Sequence, residues 1–384
     1  MRHAAIRRKL AKVDRALEKA IEAAETPGAV VLARMPRDGE RLEYLGVRGH
    51  AALRPERIAM ARETIFDLAS LTKVMATSTA VLLLVAEGAL ELDDPVAKHL
   101  PAFGERGKDR VTLRHLLTHA SGLKPWRGFH EPLLERERKR GERWIATPAA
   151  REWILQSICR SALVHEPGTA AVYGDLDFIV LGAVIEAVAR QPLERFCAER
   201  VFAPLGLGET GFVPIGEGAP PLAEARRRRF AATESCPWRG RILWGEVHDP
   251  NASAMGGVAG HAGLFAPVDD VVRFAEAWLD AWHGRPSPLP AAQVRAFAAR
   301  QDLPAGSDWA LGWDTPSASG SSSGRHFSPS SIGHLGFTGT SIWIDLEREL
   351  VVAMLTNRVH LVAKRSKYAL RPAVHDLLVE AFTA

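Results

Sequence analysis

The segment Ser70-Leu71-Thr72-Lys73 places a serine hydroxyl and a lysine amine three residues apart. At the start of a helix these two side chains lie on the same face, one turn apart, so that the amine reaches the hydroxyl. A helix N-terminus favours negative charge nearby, and apolar surroundings lower the pKa of a buried lysine. The segment therefore predicts Ser70 as a nucleophile and Lys73 as its base.

A second Ser-x-x-Lys segment, Ser121 to Lys124, shows that this motif alone is a weak signal. The contexts of the two copies differ. Ser70 follows a predicted strand and opens an amphipathic helix, whereas Ser121 lies in a Ser-Gly turn and Lys124 precedes Pro125. Because the residue before a proline is disfavoured in the helical region, we expect the second copy to be accidental.

Tyr173 and His334 are candidates for further proton carriers or ligands. Tyr173 is one of only three tyrosines and lies just before a predicted helix. Taken alone, it is better interpreted as a core residue with a bonded hydroxyl. His334 begins the stretch His-Leu-Gly-Phe-Thr-Gly-Thr, whose glycines allow a ligand to approach a strand edge closely. His334 alone is an ordinary surface histidine, but its combination with Ser70 and Lys73 indicates a catalytic site.

Three segments together resemble the serine β-lactamase and penicillin-binding-protein superfamily. They are Ser70-x-x-Lys73 at the start of a helix, Tyr173-x-Asp175 before a later helix, and His334-x-Gly336 on a late strand. The match is closest to the branch that holds class C β-lactamases, DD-peptidases and related esterases, and it covers most of the chain. Supporting stretches are 64–70, 113–119, 166–168, 260–265 and 356–358.

The resemblance implies a mechanism and a set of site residues. Ser70 attacks a carbonyl and becomes acylated, Lys73 and Tyr173 pass protons, and the backbone N–H groups of Ser70 and Phe337 form the oxyanion hole. Water then releases the acyl group. His334 completes the predicted catalytic set, and the candidates for substrate binding are Asp175, Gly336, Asn251, Trp126 and Arg358.

Two positions depart from the family pattern. The third motif usually begins with lysine, and His334 is mostly neutral at pH 7, so a fixed positive charge for a substrate carboxylate is missing. Asp175 stands where asparagine or serine is usual and adds a carboxylate. Both changes disfavour anionic substrates such as β-lactams and peptidoglycan stem peptides, although Arg358 restores the charge if it points into the cleft.

We therefore expect an esterase-type serine hydrolase that acts on small esters or amides. One alternative is β-lactamase or DD-carboxypeptidase activity, and an alternative of another class is a catalytically weak binding or regulatory module. A small-molecule acyl substrate is expected, without a cofactor or metal. His115 and His119 have the i, i+4 spacing of zinc ligands, but the glutamate of zinc peptidases is absent after the first histidine, which favours a structural role.

The elements that must position these residues run in the order helix, strands, a long helical block, strands, helix. This order predicts an α+β fold, an α/β sandwich with a mainly antiparallel sheet flanked by N- and C-terminal helices and an inserted all-helical domain. We expect 1–69 and 268–384 to form the sheet domain and 70–267 the helical domain, with the active site at their interface. We also expect a solvated insertion at 135–140 and a flexible loop at 317–324.

Composition excludes several classes of partner. A net charge of +4 on 384 residues does not indicate nucleic-acid binding. Three widely spaced cysteines suggest reduced thiols. The first twenty residues lack the apolar region of a signal peptide, and the longest apolar run, Ala80 to Ala86, is too short to cross a membrane. We thus expect a cytoplasmic protein without membrane partners, and the sequence does not indicate its oligomeric state.

Overall fold

The architecture is given by a computed structural model that describes residues 2–37, 39–360 and 369–383. Its strands are β1 (Gly28–Arg37), β2 (Glu40–Ala52), β3 (Ile58–Ala59), β4 (Phe66–Asp67), β5 (Gly211–Phe212), β6 (Ser235–Cys236), β7 (Arg241–Ile242), β8 (Leu264–Ala266), β9 (Ile332–Leu335), β10 (Ser341–Asp345) and β11 (Leu350–Thr356). Its α-helices are α1 (Arg2–Glu22), α2 (Thr79–Ala86), α3 (Val96–His99), α4 (Leu113–Leu117), α5 (His130–Arg140), α6 (Pro148–Cys159), α7 (Leu176–Ala189), α8 (Leu193–Cys197), α9 (Glu224–Arg227), α10 (Pro250–Ala254), α11 (Val268–Trp282), α12 (Ala291–Ala298) and α13 (Leu370–Phe382). A π-helical segment, Lys73–Ser78, leads directly into α2.

The main sheet has six antiparallel strands in the order β3-β2-β1-β11-β10-β9. Strands β1 and β11 lie at its centre and pair Ala29 with Thr356, which joins the two ends of the chain. Both strands are apolar on both faces. One face packs against α1 and α13, and the other packs against α11 and the larger core. This layered α+β arrangement confirms the predicted fold class.

The segment from residue 70 to residue 267 is rich in helices but is not all helical. It contributes β5 and β8, and β8 pairs on its other side with β4, the strand that precedes Ser70. A short hairpin of β6 and β7 adds two more strands. The prediction of an all-helical insertion was wrong on this point, because strands of two or three residues give too short an alternation to be detected in sequence.

Helix α5 replaces the solvated insertion expected at 135–140. Its outer surface carries alternating charges, as the sequence suggested, but Leu133 is buried and anchors the helix to the core. Lys139 and Glu135 form an i, i+4 ion pair of 2.6 Å, a spacing that supports a helix modestly. Within the described residues, none of the helices is both long and apolar enough to span a bilayer. All three cysteines are free and buried.

Candidate active site

Ser70 and Lys73 meet at the start of the buried helical segment, as their spacing predicts. Strand β4 ends at Asp67, whose Oδ1 accepts a hydrogen bond of 2.8 Å from the backbone N–H of Ala69. Ala69 has a φ of +47°, an unusual value for a residue with a side chain. This tight turn brings Ser70 to the helix start, where its Oγ lies 3.0 Å from Lys73 Nζ.

The ammonium group of Lys73 is fully buried and has three acceptors within reach besides the Tyr173 hydroxyl. They are Ser70 Oγ at 3.0 Å, Asp175 Oδ1 at 2.7 Å and the carbonyl oxygen of His261 at 3.3 Å. Burial lowers the pKa of Lys73, but the Asp175 carboxylate and Tyr173 more than offset this, so that the net pKa is raised. The pKa of Lys73 is therefore shifted in the direction opposite to the one that its apolar surroundings suggested, because the Asp175 carboxylate, distant in sequence, favours the ammonium form.

Tyr173 lies beside both residues and forms part of the cavity wall. Its hydroxyl hydrogen-bonds with Ser70 and Lys73, and its ring stacks on Trp309 with centroids 5.6 Å apart. The residue is 41% exposed, yet its hydroxyl lies against the buried Lys73. Desolvation raises the pKa of this phenol, and the Lys73 charge opposes the rise. Tyr173 is consequently a neutral hydroxyl at pH 7.

The loop that carries Tyr173 is hydrogen-bonded to His119 and Pro125. Val172 N–H donates to the His119 carbonyl at 2.9 Å, and Gly174 N–H donates to His119 Nδ1 at 3.3 Å. Asp175 N–H donates to the Pro125 carbonyl at 2.8 Å. A Cβ on Gly174 would lie 2.6 Å from Pro125 Cα, so the two backbone segments can lie this close together only with glycine at position 174. These backbone contacts fix where Tyr173 and Asp175 stand.

His334 lies on β9 at the cavity wall and is only 2% exposed. Its Nδ1 is 2.9 Å from the Leu335 carbonyl oxygen. Because a carbonyl only accepts, Nδ1 carries the proton and Nε2 is left as an acceptor. Desolvation and the nearby Lys73 charge hold the pKa of His334 well below its usual value. The imidazole is therefore neutral, in agreement with the missing fixed charge that the sequence suggested.

The loop after β9 is hydrogen-bonded to the backbone just before Ser70. Thr338 Oγ1 donates to the Asp67 carbonyl at 2.8 Å, and Thr340 Oγ1 donates to the Leu68 carbonyl at 3.1 Å. A Cβ on Gly336 would collide with Thr340 Oγ1 and lie 2.6 Å from the Leu68 oxygen. These contacts hold the chain around Phe337 beside Ser70, which is what the predicted oxyanion hole requires.

Ser70 opens into a cavity of about 810 Å³. Its wall includes four predicted site residues besides the catalytic ones: Trp126, Asp175, Gly336 and Phe337. Phe337 is 72% exposed and stacks on His248, with ring centroids 5.5 Å apart. The other polar or aromatic lining residues are Glu234, His248, Asp249, His261, Trp309, Asp314 and Arg371.

A family model described as Beta-lactamase matches residues 13–375 of this chain. The protein belongs to the Beta-lactamase family. A curated relative from Escherichia coli K12, named "Putative D-alanyl-D-alanine carboxypeptidase", is 32% identical over 315 residues, which cover 77% of this chain and 70% of the relative. The sequence resemblance to serine β-lactamases and penicillin-binding proteins is thereby confirmed.

Two solved structures show the same fold. "EstCE1, a hydrolase with promiscuous acyltransferase activity" has a TM-score of 0.69 at 24% identity and covers 97% of this chain and 99% of that one. The octameric penicillin-binding protein homologue from Pyrococcus abyssi has a TM-score of 0.70 at 22% identity. The match covers 97% of this chain and 77% of that one. At these identities the likeness shows the fold alone.

Two predicted substrate-binding residues lie elsewhere in this Beta-lactamase-family protein. Asn251 is fully buried, and its amide accepts from Phe129 N–H at 3.0 Å and donates to the Arg127 carbonyl at 2.8 Å. It joins α10 to the chain before α5 instead of lining the cavity. Arg358 begins a 3₁₀ turn, its N–H donates to the Thr338 carbonyl at 3.0 Å, and its side chain is not part of the cavity wall.

Arg371 on α13 is the cation of the cavity wall that sequence reasoning missed. It is 8% exposed and donates to the carbonyls of Gly336 and Gly339, in the loop that follows β9. The helical pattern of α13 predicts a packed helix, but no local signal separates this arginine from the many others. Only the contact between the C-terminal helix and the β9–β10 loop reveals its position.

In the second Ser-x-x-Lys copy, which the sequence indicates to be accidental, the serine is bonded to a buried carboxyl group. Ser121 hydroxyl donates to Asp177, while Lys124 is exposed. Asp177 also contacts His119 at 3.2 Å, beneath the Tyr173 loop. Burial raises the pKa of Asp177 to about 8 and lowers the pKa of His119 to about 3. Both groups are thus neutral at pH 7 and form a buried support.

In the part of the chain that the structure describes, one group of side chains has the ligand atoms for a metal. Asp175, Asp249 and His261 bring one ligand atom each within 4.8 Å of one another. The Lys73 ammonium already neutralises Asp175, however, and His261 Nε2 is bonded to Asp249 at 2.8 Å. A further cation would be repelled by Lys73, so this cluster fits the amine better than it fits a metal.

Proposed function

We propose that this protein is a serine hydrolase that forms an acyl-enzyme on Ser70 and acts preferentially on small uncharged esters or amides. The observation that carries the proposal is the convergence of Ser70 Oγ, Lys73 Nζ and the Tyr173 hydroxyl at one side of the cavity. A nucleophile, a proton carrier and a second hydroxyl in mutual contact are the parts that acyl transfer needs.

The catalytic cycle follows from these contacts. Ser70 Oγ attacks the acyl carbon, and the carbonyl oxygen takes the electron pair beside the backbone amides of Ser70 and Phe337. The leaving group departs with a proton that Tyr173 donates. A water molecule then attacks the acyl-enzyme and frees Ser70.

The preference for uncharged substrates rests on the charges of the cavity wall. Three acidic lining residues each have a basic partner: Asp175 with Lys73 at 2.7 Å, Asp249 with His261 at 2.8 Å, and Glu234 with His248 at 3.4 Å. Burial and Asp308 raise the pKa of Asp314 to about 7, so this carboxyl carries only part of a charge at neutral pH. His334 adds no cation. A neutral acyl compound needs no counter-charge from this wall, whose arginine, Arg371, is bonded to the carbonyls of Gly336 and Gly339.

Wild-type protein, Ser70→Ala and Ser121→Ala test the proposal. We expect short-chain p-nitrophenyl esters to be hydrolysed by the wild type and by Ser121→Ala, and to be left intact by Ser70→Ala. A fluorophosphonate should add to Ser70, as seen by peptide mass spectrometry. Nitrocefin turned over faster than the esters would contradict the preference. No adduct on Ser70 under any condition would favour a binding or regulatory module instead.

DD-carboxypeptidase activity is the second candidate, and Arg371 is the observation that favours it. Arg371 lines the cavity, and a guanidinium suits a planar carboxylate such as a peptide C-terminus. The name of the Escherichia coli relative points to the same activity. A peptide ending in D-Ala-D-Ala and its C-terminal amide discriminate, since this function requires a higher kcat/KM for the free acid.

A further inference from the structure

The ammonium group of Lys73 poses a problem for the acylation step. Its three N–H bonds are surrounded by acceptors, at Ser70 Oγ, Asp175 Oδ1 and the His261 carbonyl, with the Tyr173 hydroxyl as a fourth neighbour. A protonated amine has no lone pair, so Lys73 cannot accept the Ser70 proton unless it releases one of its own. Tyr173 does not replace it, because its hydroxyl is neutral and bonded to the same two residues.

Asp175 is the one carboxylate in direct contact with Lys73 among the described residues, at 2.7 Å. We propose that Asp175 is the final acceptor of the Ser70 proton, which it receives through Lys73. This role rests on the proposed serine-hydrolase function and differs from the substrate-binding role predicted for Asp175. It assigns a use to the carboxylate that stands where the family pattern has asparagine or serine.

The step balances in atoms and charge. The Ser70 O–H bond breaks as Oγ bonds to the acyl carbon, and its proton moves to Lys73 Nζ. Lys73 at the same time gives a different proton to Asp175 Oδ1, so that it stays an ammonium while Asp175 becomes a carboxylic acid. When the leaving group takes the Tyr173 proton, Lys73 re-protonates Tyr173 and recovers its own proton from Asp175. The resting charges are then restored.

The surroundings make this transfer short and dry. Lys73 is fully buried, and the Asp175 side chain is 20% exposed, on the cavity side. The groups that face the pair from other segments are His119, Asp249, His261 and the neutral His334, and those on its own segment are Tyr173 and Asp177. Of these, His119 and Asp177 are neutral at pH 7 and Asp249 is bonded to His261. Lys73 thus remains the main partner of Asp175.

The proton relay from Ser70 through Lys73 to Asp175 is tested with the variant Asp175→Asn. The matched control is Asp177→Asn, the same change two residues away. Removing the Asp175 charge leaves burial to dominate the pKa of Lys73, which then falls, so the variant acquires a free amine only as the pH rises. The readout is the burst of p-nitrophenolate when enzyme is mixed with p-nitrophenyl butyrate in a stopped-flow instrument. Formation of the acyl adduct on Ser70 is followed in parallel by mass spectrometry.

The relay predicts a characteristic pH profile. At pH 7 we expect Asp175→Asn to acylate about 100-fold more slowly than wild type, within the usual range for acid–base catalysis. Its rate should climb by about tenfold per pH unit as the amine is freed. Asp177→Asn should stay within about threefold of wild type, because asparagine imitates the protonated carboxyl of Asp177. The rate of acylation of the wild-type protein should change little between about pH 7 and pH 9.

Several outcomes would overturn the relay. One is Asp175→Asn acylating at the wild-type rate at pH 7, and another is a loss that is equal at every pH, as a merely structural defect gives. If Asp175→Asn does not fold, the wild-type profile decides, since a wild-type rate that rises about tenfold per pH unit contradicts the relay. Asp175→Glu should restore part of the rate. Absence of any wild-type adduct on Ser70 overturns the proposed function itself.

Discussion

Replacing Lys73 with methionine should destabilise the protein by leaving Asp175 as a carboxylate without its counter-ion. The two charges are 2.7 Å apart, which corresponds to an attraction of about 6 kcal/mol at an effective dielectric constant of about 20. Desolvation of both groups offsets much of this attraction. Removing one partner of a buried pair typically costs about 3–5 kcal/mol. Because Asp175 is 20% exposed on the cavity side, we expect a loss near the lower end of that range.

The double variant Lys73→Met/Asp175→Asn separates the charge from the packing. Both charges are then absent, and methionine fills most of the space of the lysine chain. We expect its free energy of unfolding to return to within about 1 kcal/mol of wild type, although its activity stays abolished. Asp175→Asn alone should be less stable than the double variant, since Lys73 then remains buried without a carboxylate.

Urea unfolding followed by tryptophan fluorescence and circular dichroism measures all four proteins. The free energy of unfolding in water and the dependence on urea concentration are compared, because a change in the latter would indicate altered compactness. A Lys73→Met variant whose free energy of unfolding equals that of wild type within error would refute the view that Lys73 and Asp175 are electrostatically coupled. A double variant no more stable than Lys73→Met would show that the loss comes from packing.

Three further predictions address other parts of the site. Tyr173→Phe should slow the hydrolysis of alkyl esters and amides by about 100-fold or more but affect p-nitrophenyl esters much less, since p-nitrophenolate leaves without a proton. Gly336→Ala should lower the melting temperature and the rate of acylation, because its Cβ meets Thr340 and the Leu68 carbonyl, whereas Gly208→Ala, with open space around it, should change neither. Asp177→Asn should gain stability relative to wild type as the pH rises, measured by urea unfolding at several pH values. The folded protein holds a proton on Asp177 up to about pH 8, while an unfolded aspartate releases it near pH 4, so wild-type stability falls between about pH 4 and 8.

Local pattern was sufficient for the parts of the fold and site that depend on neighbours in sequence. Helical spacing placed Lys73 against Ser70, and the apolar runs of the late strands gave the hairpin of β10 and β11. The family resemblance supplied Tyr173 and His334, which the structure brings to the same cavity. Each of these inferences needed only periodicity or a motif in its expected order.

The features that escaped prediction, among them the pairing of Asp175 with Lys73, depend on contacts between distant segments. Asp175 lies 102 residues from Lys73, and its charge reverses the shift in the pKa of Lys73 that burial alone produces. Arg371 reaches the cavity from the last helix, α13. The helical pattern there predicts only a packed helix and does not distinguish this arginine. Asn251 was misplaced for the converse reason. Its turn-rich neighbourhood suggested a cleft, but its amide is used to satisfy the backbone before α5.

The pairing of charges explains why the departures from the family pattern do not act independently. A lysine at position 334 would stand close to Lys73, whose charge already lowers the pKa of His334. Asp175 keeps Lys73 charged, so a second cation there would be repelled, whereas a neutral imidazole is not. The histidine and the aspartate are therefore compatible as a pair: the added carboxylate fixes the ammonium near the nucleophile, and the neutral histidine avoids competing with it. On this reasoning the positive charge usual on the late strand is lost at His334, and the ammonium of Lys73, which Asp175 stabilises, is retained beside Ser70.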